Sequence, residues 1–414
     1  MPIARWSHGI VDWPKIDRQM YGAEAPLLHK ESLTGVGMAD ECKLADQRRA
    51  TNPLFGDRKL KLGMFSLNLS GASTISSMEG VLPNDWPIVR DLTAIADAME
   101  FEAIVPVGRW RGFGGITDFN GSGFECFTFA AAVAAGTKRP ALFATSHVPS
   151  IHPVMAAKQG ATIDHISGGR FALNVVTGWH KTEIEMFGSP MMEHDKRYDA
   201  AVEWLEIIKA LWQSDEPLNY DGKFYQVRDA LLKPKPIQKP YPAIMCAGAS
   251  SKGRDFAARH CDITFSNTEK RDNLEDMRAA FNAPRTLAYE KYHRDLKVWS
   301  HVYVIVGETE KDAQRQFRHC LELGDDVAVD NLMRTLGINS QSLSLEGIQK
   351  LREDFIVGHA GIPLVGTKEQ VVDGFGRLTK AGLDGVVISW PNYVEGVHQF
   401  QKEVLPLLVQ AGLR

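Results

Sequence analysis

Nowhere in the 414 residues do apolar side chains run on for the roughly 18 positions that a membrane-spanning helix needs. The N-terminal MPIARWSHGIVDWPKIDRQ also lacks the apolar stretch of a secretory leader, so neither secretion nor membrane insertion is expected. Cysteine is scarce: Cys42, Cys126, Cys246, Cys261 and Cys320 stand far apart, with no C-x-x-C pair. Their odd number suits a reducing, cytoplasmic setting better than a disulfide framework. An excess of one charge is lacking too, because 47 Lys and Arg face 51 Asp and Glu for a net charge of −4. That balance supplies no basic surface for nucleic acid and leaves a specific small ligand as the expected partner.

Several catalytic signatures are missing as well. His147 and His152 are five residues apart and His180 and His194 fourteen, with neither an H-E-x-x-H helix nor a Cys/His cluster beside them, so no metal is expected. No G-x-S-x-G elbow marks a serine hydrolase. RGFGG at 111–115 does not fit G-x-G-x-x-G between a strand and a helix, and no nicotinamide site is read from the chain.

What remains is a regular alternation. After a charged, weakly periodic segment 1–58, read as an extension packed across the body or a partner, strand-like runs begin at 59. KLKLGMFSL (59–67), AIVPVG (103–108), ALFATS (141–146) and RFALNVV (170–176) are each followed by a helical pattern. AIMCAG (243–248), ITF (263–265), KVWSHVYVIV (297–306) and GVVIS (385–389) bring the count to eight. Near-continuous apolar strands alternating with helices predict a parallel sheet covered on both faces, and eight units predict a (β/α)8 TIM barrel over 59–414. A doubly wound open sheet is the competing architecture. Segments 219–242, read as a hairpin with a proline-rich return, and 324–362 interrupt the repeat as insertions of the kind that form lids or subunit contacts.

A barrel carries its chemistry just past the strand ends. Those positions hold Asn68, Ser70 and Ser73; Gly108 and Arg109; Thr145, Ser146 and His147; Asn174, Thr177, Trp179 and His180; and AGASSKG with Gly248 and Ser250. Small and hydroxyl residues opening a helix at Ser250 suit a phosphate, although a plain serine cap explains them equally well. Arg197 and Tyr198 can reach the same anion, or be a solvated cation and a core phenol.

The stretches ATIDHISGGRFALNVVTGWHKTEIEMFG (161–188), HDKRYDAAVEWLEIIKALW and AGASSKGRDFAARHCD closely resemble the bacterial luciferase-like flavin-dependent monooxygenases. RGFGG with FECFTFAAAVAA is most similar to the pyrimidine monooxygenases, and LKPKPIQKPYP with HDKRY to the dimethyl sulfone and alkanesulfonate monooxygenases. The resemblance spans about 59–411 and implies a barrel using reduced FMN and O2, with the flavin reduced by a separate NAD(P)H-dependent reductase, in a homodimer or homotetramer. It implies cofactor contacts at Gly108, Arg109, Asn174, Glu183, Arg197, Tyr198 and Ser250. Thr145 and Asn174 match the family's oxygen pocket and become the expected catalytic pair, both read as donors to oxygen. Trp110, Phe113, Trp179, Trp390 and the insertions are assigned to a water-excluding lid. The expected reaction is oxygenation and cleavage of a small polar N-heterocyclic amide. Sulfone or alkanesulfonate C–S oxidation, degradation of riboflavin-like flavins and non-catalytic flavin binding are the alternatives.

Overall fold

The computed structural model describes residues 48, 50–268, 271, 273–338 and 344–414. Eight parallel strands among them close a barrel: β1 (Lys61–Phe65), β2 (Ala103–Val105), β3 (Ala141–His147), β4 (Phe171–Val176), β7 (Ala243–Cys246), β8 (Ile263–Phe265), β9 (Lys297–Val306) and β11 (Gly385–Ser389). Two strands outside the barrel, β5 (Leu218–Asp221) and β6 (Gln226–Ala230), form the expected antiparallel hairpin.

The strands are apolar on both faces because both are covered. Leu62, Met64, Ile104, Leu142, Leu173 and Ile244 face the surrounding helices, while Ala103, Ala141, Ala172, Ala243, Phe143 and Trp299 fill the interior. The row of alanines leaves room at the bottom for a plug from below. A 3-10 turn at Pro53–Phe55, capped by the Asn52 side chain, inserts the buried Leu54 into that interior. Asn52 donates to Gln238 Oε1 (2.9 Å) and Arg48 pairs with Asp262 (2.9 Å), so the described part of the segment before 59 forms the barrel floor. Residues 1–47, including Cys42, lie outside the described residues.

Segment 324–362, read as an insertion, leads into a strand that the sequence reading did not include. Its end runs into β10 (Ile362–Gly366), which pairs in parallel with Val302–Val306. β9 is long enough to serve two neighbours along one edge: Lys297–Trp299 pairs with β8 below, and Val302–Val306 with β10 above. Helices Glu310–Glu322, Asp326–Thr335 and Leu345–Gly358 share a second apolar cluster with Ile75, Phe113 and Phe119 from the loops after β1 and β2. Asn331 donates to Phe113 O (2.8 Å) and Asp325 accepts from Thr117 (2.8 Å), tying the RGFGG loop to this lid.

Candidate active site

Strand parity decides what reaches the barrel mouth. Successive side chains alternate faces, so the inward set toward the mouth includes Phe65 on β1, Thr145 on β3, Asn174 on β4, Phe265 on β8, His301 on β9 and Ser389 on β11. Thr145 and Asn174 are direct register partners. Asn174 Nδ2 donates to Thr145 Oγ1 (3.1 Å), and Thr145 Oγ1 donates to Pro106 O (2.5 Å). Thr145's proton is thus committed to the backbone, which differs from the expectation of two donors. The group left over is an acceptor, since Asn174 Oδ1 is buried and has no partner among the described residues. Such an atom is disfavoured by about 1–3 kcal/mol until a donor answers it.

Above this pair, Arg109 and Glu183 form an ion pair (3.3 Å) with both side chains 3% exposed. Glu183 also accepts from the N–H groups of Trp110 (2.6 Å) and Arg111 (3.0 Å), so its carboxylate clamps the loop after β2 instead of pointing at a ligand. The Arg109 guanidinium lies over the rings of Phe113 (5.0 Å) and Trp179 (4.9 Å). Burial pulls its pKa down and Glu183 opposes that pull; a guanidinium stays charged either way. Gly108 passes so close to His147 that a Cβ there would sit 3.1 Å from the imidazole. Burial pushes the His147 pKa down to about 4, leaving it neutral at pH 7. The His180 side chain accepts from Glu183 N (3.4 Å) as the cap of helix Lys181–Met186, a structural role.

A second cluster sits at the outlet of β4. Tyr198, near the start of helix His194–Gln213, is raised in pKa by burial, and the neighbouring Ser250 and Thr177 side chains partly oppose that rise. Ser250 caps helix Ser251–His260 by accepting from Gly253 N (3.1 Å). A Cβ at either Gly248 or Gly253 would come within 2.6 Å of the Tyr198 hydroxyl, so glycine permits this approach. Arg197 donates to Gly178 O, while its Nε is buried with no partner among the described residues. Beside it opens a cavity of about 290 Å3 between Met192, Phe224 and Tyr225. A guanidinium, hydroxyls and a helix N-terminus make an anion cradle.

The expected site residues therefore fall into two adjoining groups. Gly108, Arg109, Thr145, Asn174 and Glu183 meet at the mouth, and Arg197, Tyr198 and Ser250 meet at the cradle. Trp390 does not join the lid: it follows the inward Ser389, faces outward, and packs edge-on against Tyr393 (5.4 Å) and Phe400 (5.6 Å). Trp110, 40% exposed, and Phe187 form the outer rim (5.0 Å). Sequence reasoning missed Phe65, Phe265, His301, Ser389 and His359. Parity counted back from the strand ends would have found Ser389; His301 lies in mid-strand and looked like core.

A closed (β/α)8 barrel with a lid after β9 and an anion cradle after β4 defines a class of cofactor-dependent barrel enzymes. Residues 60–385 match the family model described as luciferase-like monooxygenase, and the chain belongs to that family. It is 31% identical over 356 residues to the FMNH(2)-dependent dimethylsulfone monooxygenase of Pseudomonas putida, covering 84% of this chain and 95% of the relative. It is 30% identical over 353 residues to the pyrimidine monooxygenase RutA of Escherichia coli (strain SMS-3-5 / SECEC), covering 84% and 96%. The crystal structure of a riboflavin lyase superposes with a TM-score of 0.76 at 21% identity, over 86% of this chain and 92% of that one, which shows shared fold. The expectations of a TIM barrel, a flavin-dependent monooxygenase, and reduced FMN with O2 all agree with these findings.

Proposed function

We propose that this chain is the oxygenase of a two-component system, using FMN reduced by a separate NAD(P)H-dependent reductase to oxygenate and cleave a small N-heterocyclic amide. The observation that carries this reading is the buried, unanswered Asn174 Oδ1, held by Thr145 at the mouth beside the Arg197–Tyr198–Ser250 cradle. The residues fit the cofactor: a phosphate suits the cradle, and a ring N–H of reduced flavin suits the orphaned amide oxygen. Bound there, reduced FMN supplies the electrons with which O2 is activated.

The protein's own contribution is positioning and exclusion. Arg197, Tyr198, Thr177 and Ser250 would hold the anionic tail, and Gly248 and Gly253 let the Tyr198 hydroxyl come close enough to join them. Asn174 fixes the ring edge, with Thr145 locking the amide's orientation through Pro106. Glu183 fixes Arg109 between Phe113 and Trp179, which closes the mouth with a desolvated aromatic wall. Water excluded there cannot quench the reactive oxygen species. A C–S substrate is the second reading, favoured by the similarity to dimethylsulfone monooxygenase.

The test supplies a generic flavin reductase, NADH and ¹⁸O2 with uracil, dimethyl sulfone, an alkanesulfonate or riboflavin, and records product mass. A ring-opened uracil product carrying one ¹⁸O is expected. Label in a sulfur product alone selects the second reading, and peroxide without any labelled product removes both.

A further inference from the structure

We propose that the His301–Ser389 pair and His359 form the specificity-determining wall of the mouth, and that this wall binds an uncharged planar ring bearing adjacent N–H and C=O groups. The proposal rests on the functional reading above and names the recognition element of that same site.

His301 and Ser389 are top-layer residues of β9 and β11, with His301 Nε2 and Ser389 Oγ 2.8 Å apart. The His301 ring lies against Phe65 (4.7 Å between centroids), which stacks on Phe265 (6.2 Å). A polar pair flanked by aromatic faces suits a flat ligand with hydrogen-bonding edges.

His359 is delivered from the lid. His359 and Ala360 adopt left-handed φ values of 49° and 56°, strained for residues with a Cβ. The surroundings enforce them. Ala360 N donates to Asp354 O (2.9 Å) and Gly361 N to Gly358 O (2.8 Å). Arg271 pairs with the Asp354 carboxylate (3.2 Å) and reaches Ala360 O (3.5 Å). A Cβ at Gly361 would lie 2.7 Å from His301 Nδ1, so the turn's backbone rests on that imidazole. The His359 ring meets Phe119 (6.2 Å), which stacks on Phe113 (6.0 Å), beneath the Arg109 guanidinium. The turn therefore bridges the two sides of the mouth.

Two further observations point to the ligand. His359 Nδ1 is buried without a partner among the described residues, as is Asn174 Oδ1 on the opposite side. Burial also keeps both histidines neutral at pH 7, pushing His301 down to about 3 and His359 to about 4. The guanidiniums of Arg109 and Arg271 are each committed to a carboxylate, Glu183 and Asp354. Neutral donors and acceptors between aromatic faces suit an amide-like ring better than a sulfonate, which would have to break an existing ion pair to be neutralised.

Calorimetry on the whole protein, with and without FMN, tests this using uracil and ethanesulfonate as probes. Wild type should bind uracil and discriminate against ethanesulfonate. His301→Ala and His359→Ala should each weaken uracil binding by about tenfold or more, the loss of one good hydrogen bond, while FMN affinity stays within a few fold. His359→Gln should recover part of the loss, which a merely structural role would not allow. Unchanged uracil affinity in both alanine variants, or ethanesulfonate bound as tightly as uracil, overturns the wall. A wild type that binds FMN but not uracil also overturns it and leaves the cofactor reading standing, whereas a wild type that binds neither overturns both.

Discussion

The two sides of the barrel mouth are built by different physics. On the β3–β4 side a buried ion pair, Arg109–Glu183, locks a loop against two aromatic rings, and an amide and a hydroxyl are chained to a backbone carbonyl. On the β9–β11 side neutral imidazoles and a hydroxyl sit among phenyl rings, held by a strained turn from the lid. Charge buried in pairs gives the first side a fixed geometry and a large penalty for losing one partner. Neutral groups give the second side adaptable recognition at a smaller energetic stake.

Four measurements break or sharpen this contrast, beginning with the largest effect of a single substitution. Glu183→Ala leaves Arg109 buried without its carboxylate and should destabilise the fold by about 3–5 kcal/mol in urea denaturation. Ser389→Ala, on the neutral side, should cost about 0.5–1.5 kcal/mol. Equal losses would erase the distinction. Asn174→Ala removes the orphaned acceptor and should lower coupled product formation by about 10²- to 10³-fold, measured as product per NADH consumed, and weaken FMN binding by about 1–3 kcal/mol. Full coupling in that variant would strip Asn174 of its role.

Arg197→Ala should weaken FMN binding by an amount matching a charge-assisted bond, about 1.5–3 kcal/mol, and leave riboflavin binding unchanged. An equal loss for both flavins would place the phosphate elsewhere. The last comparison is in pH. The folded pKa values of His147 and His301 lie at about 4 and about 3, below their unfolded value near 6.5, so the folded state binds fewer protons. Their contribution to stability is complete above pH 6.5 and is lost as pH falls through about 4 for His147 and about 3 for His301, by at most about 1.4 kcal/mol per pH unit for each histidine. His301→Gln should flatten that slope, and a slope unaltered from wild type would contradict neutral burial of the imidazole.

The barrel and the β3–β4 side were legible in the sequence for one reason: their signals are local. Apolar runs of strand length alternate with helical periods, and Thr145 and Asn174 stand at the ends of such runs, where barrel chemistry is found. What was illegible depends on contacts remote in sequence. Thr145's proton goes to Pro106 O, 39 residues away, which turns an expected donor pair into an acceptor. Glu183 reads as a ligand contact until its oxygens are seen to be taken by Arg109 and the N–H groups of Trp110 and Arg111. Trp390 is placed by parity, one residue after an inward serine, and so falls outside the mouth. β10 was missed because IPLVG is short and carries a proline, tolerable here because β9 pairs with it along one edge.

The length of β9 has a mechanical consequence. A five-residue ladder fastens the root of the lid to the same stave that bears His301, so gate and wall travel as one body. Any widening of the entrance must then come from the opposite rim, where the segments following β1 and β2 meet the lid through side-chain packing and a few hydrogen bonds. The hinge for admitting substrate belongs on that rim.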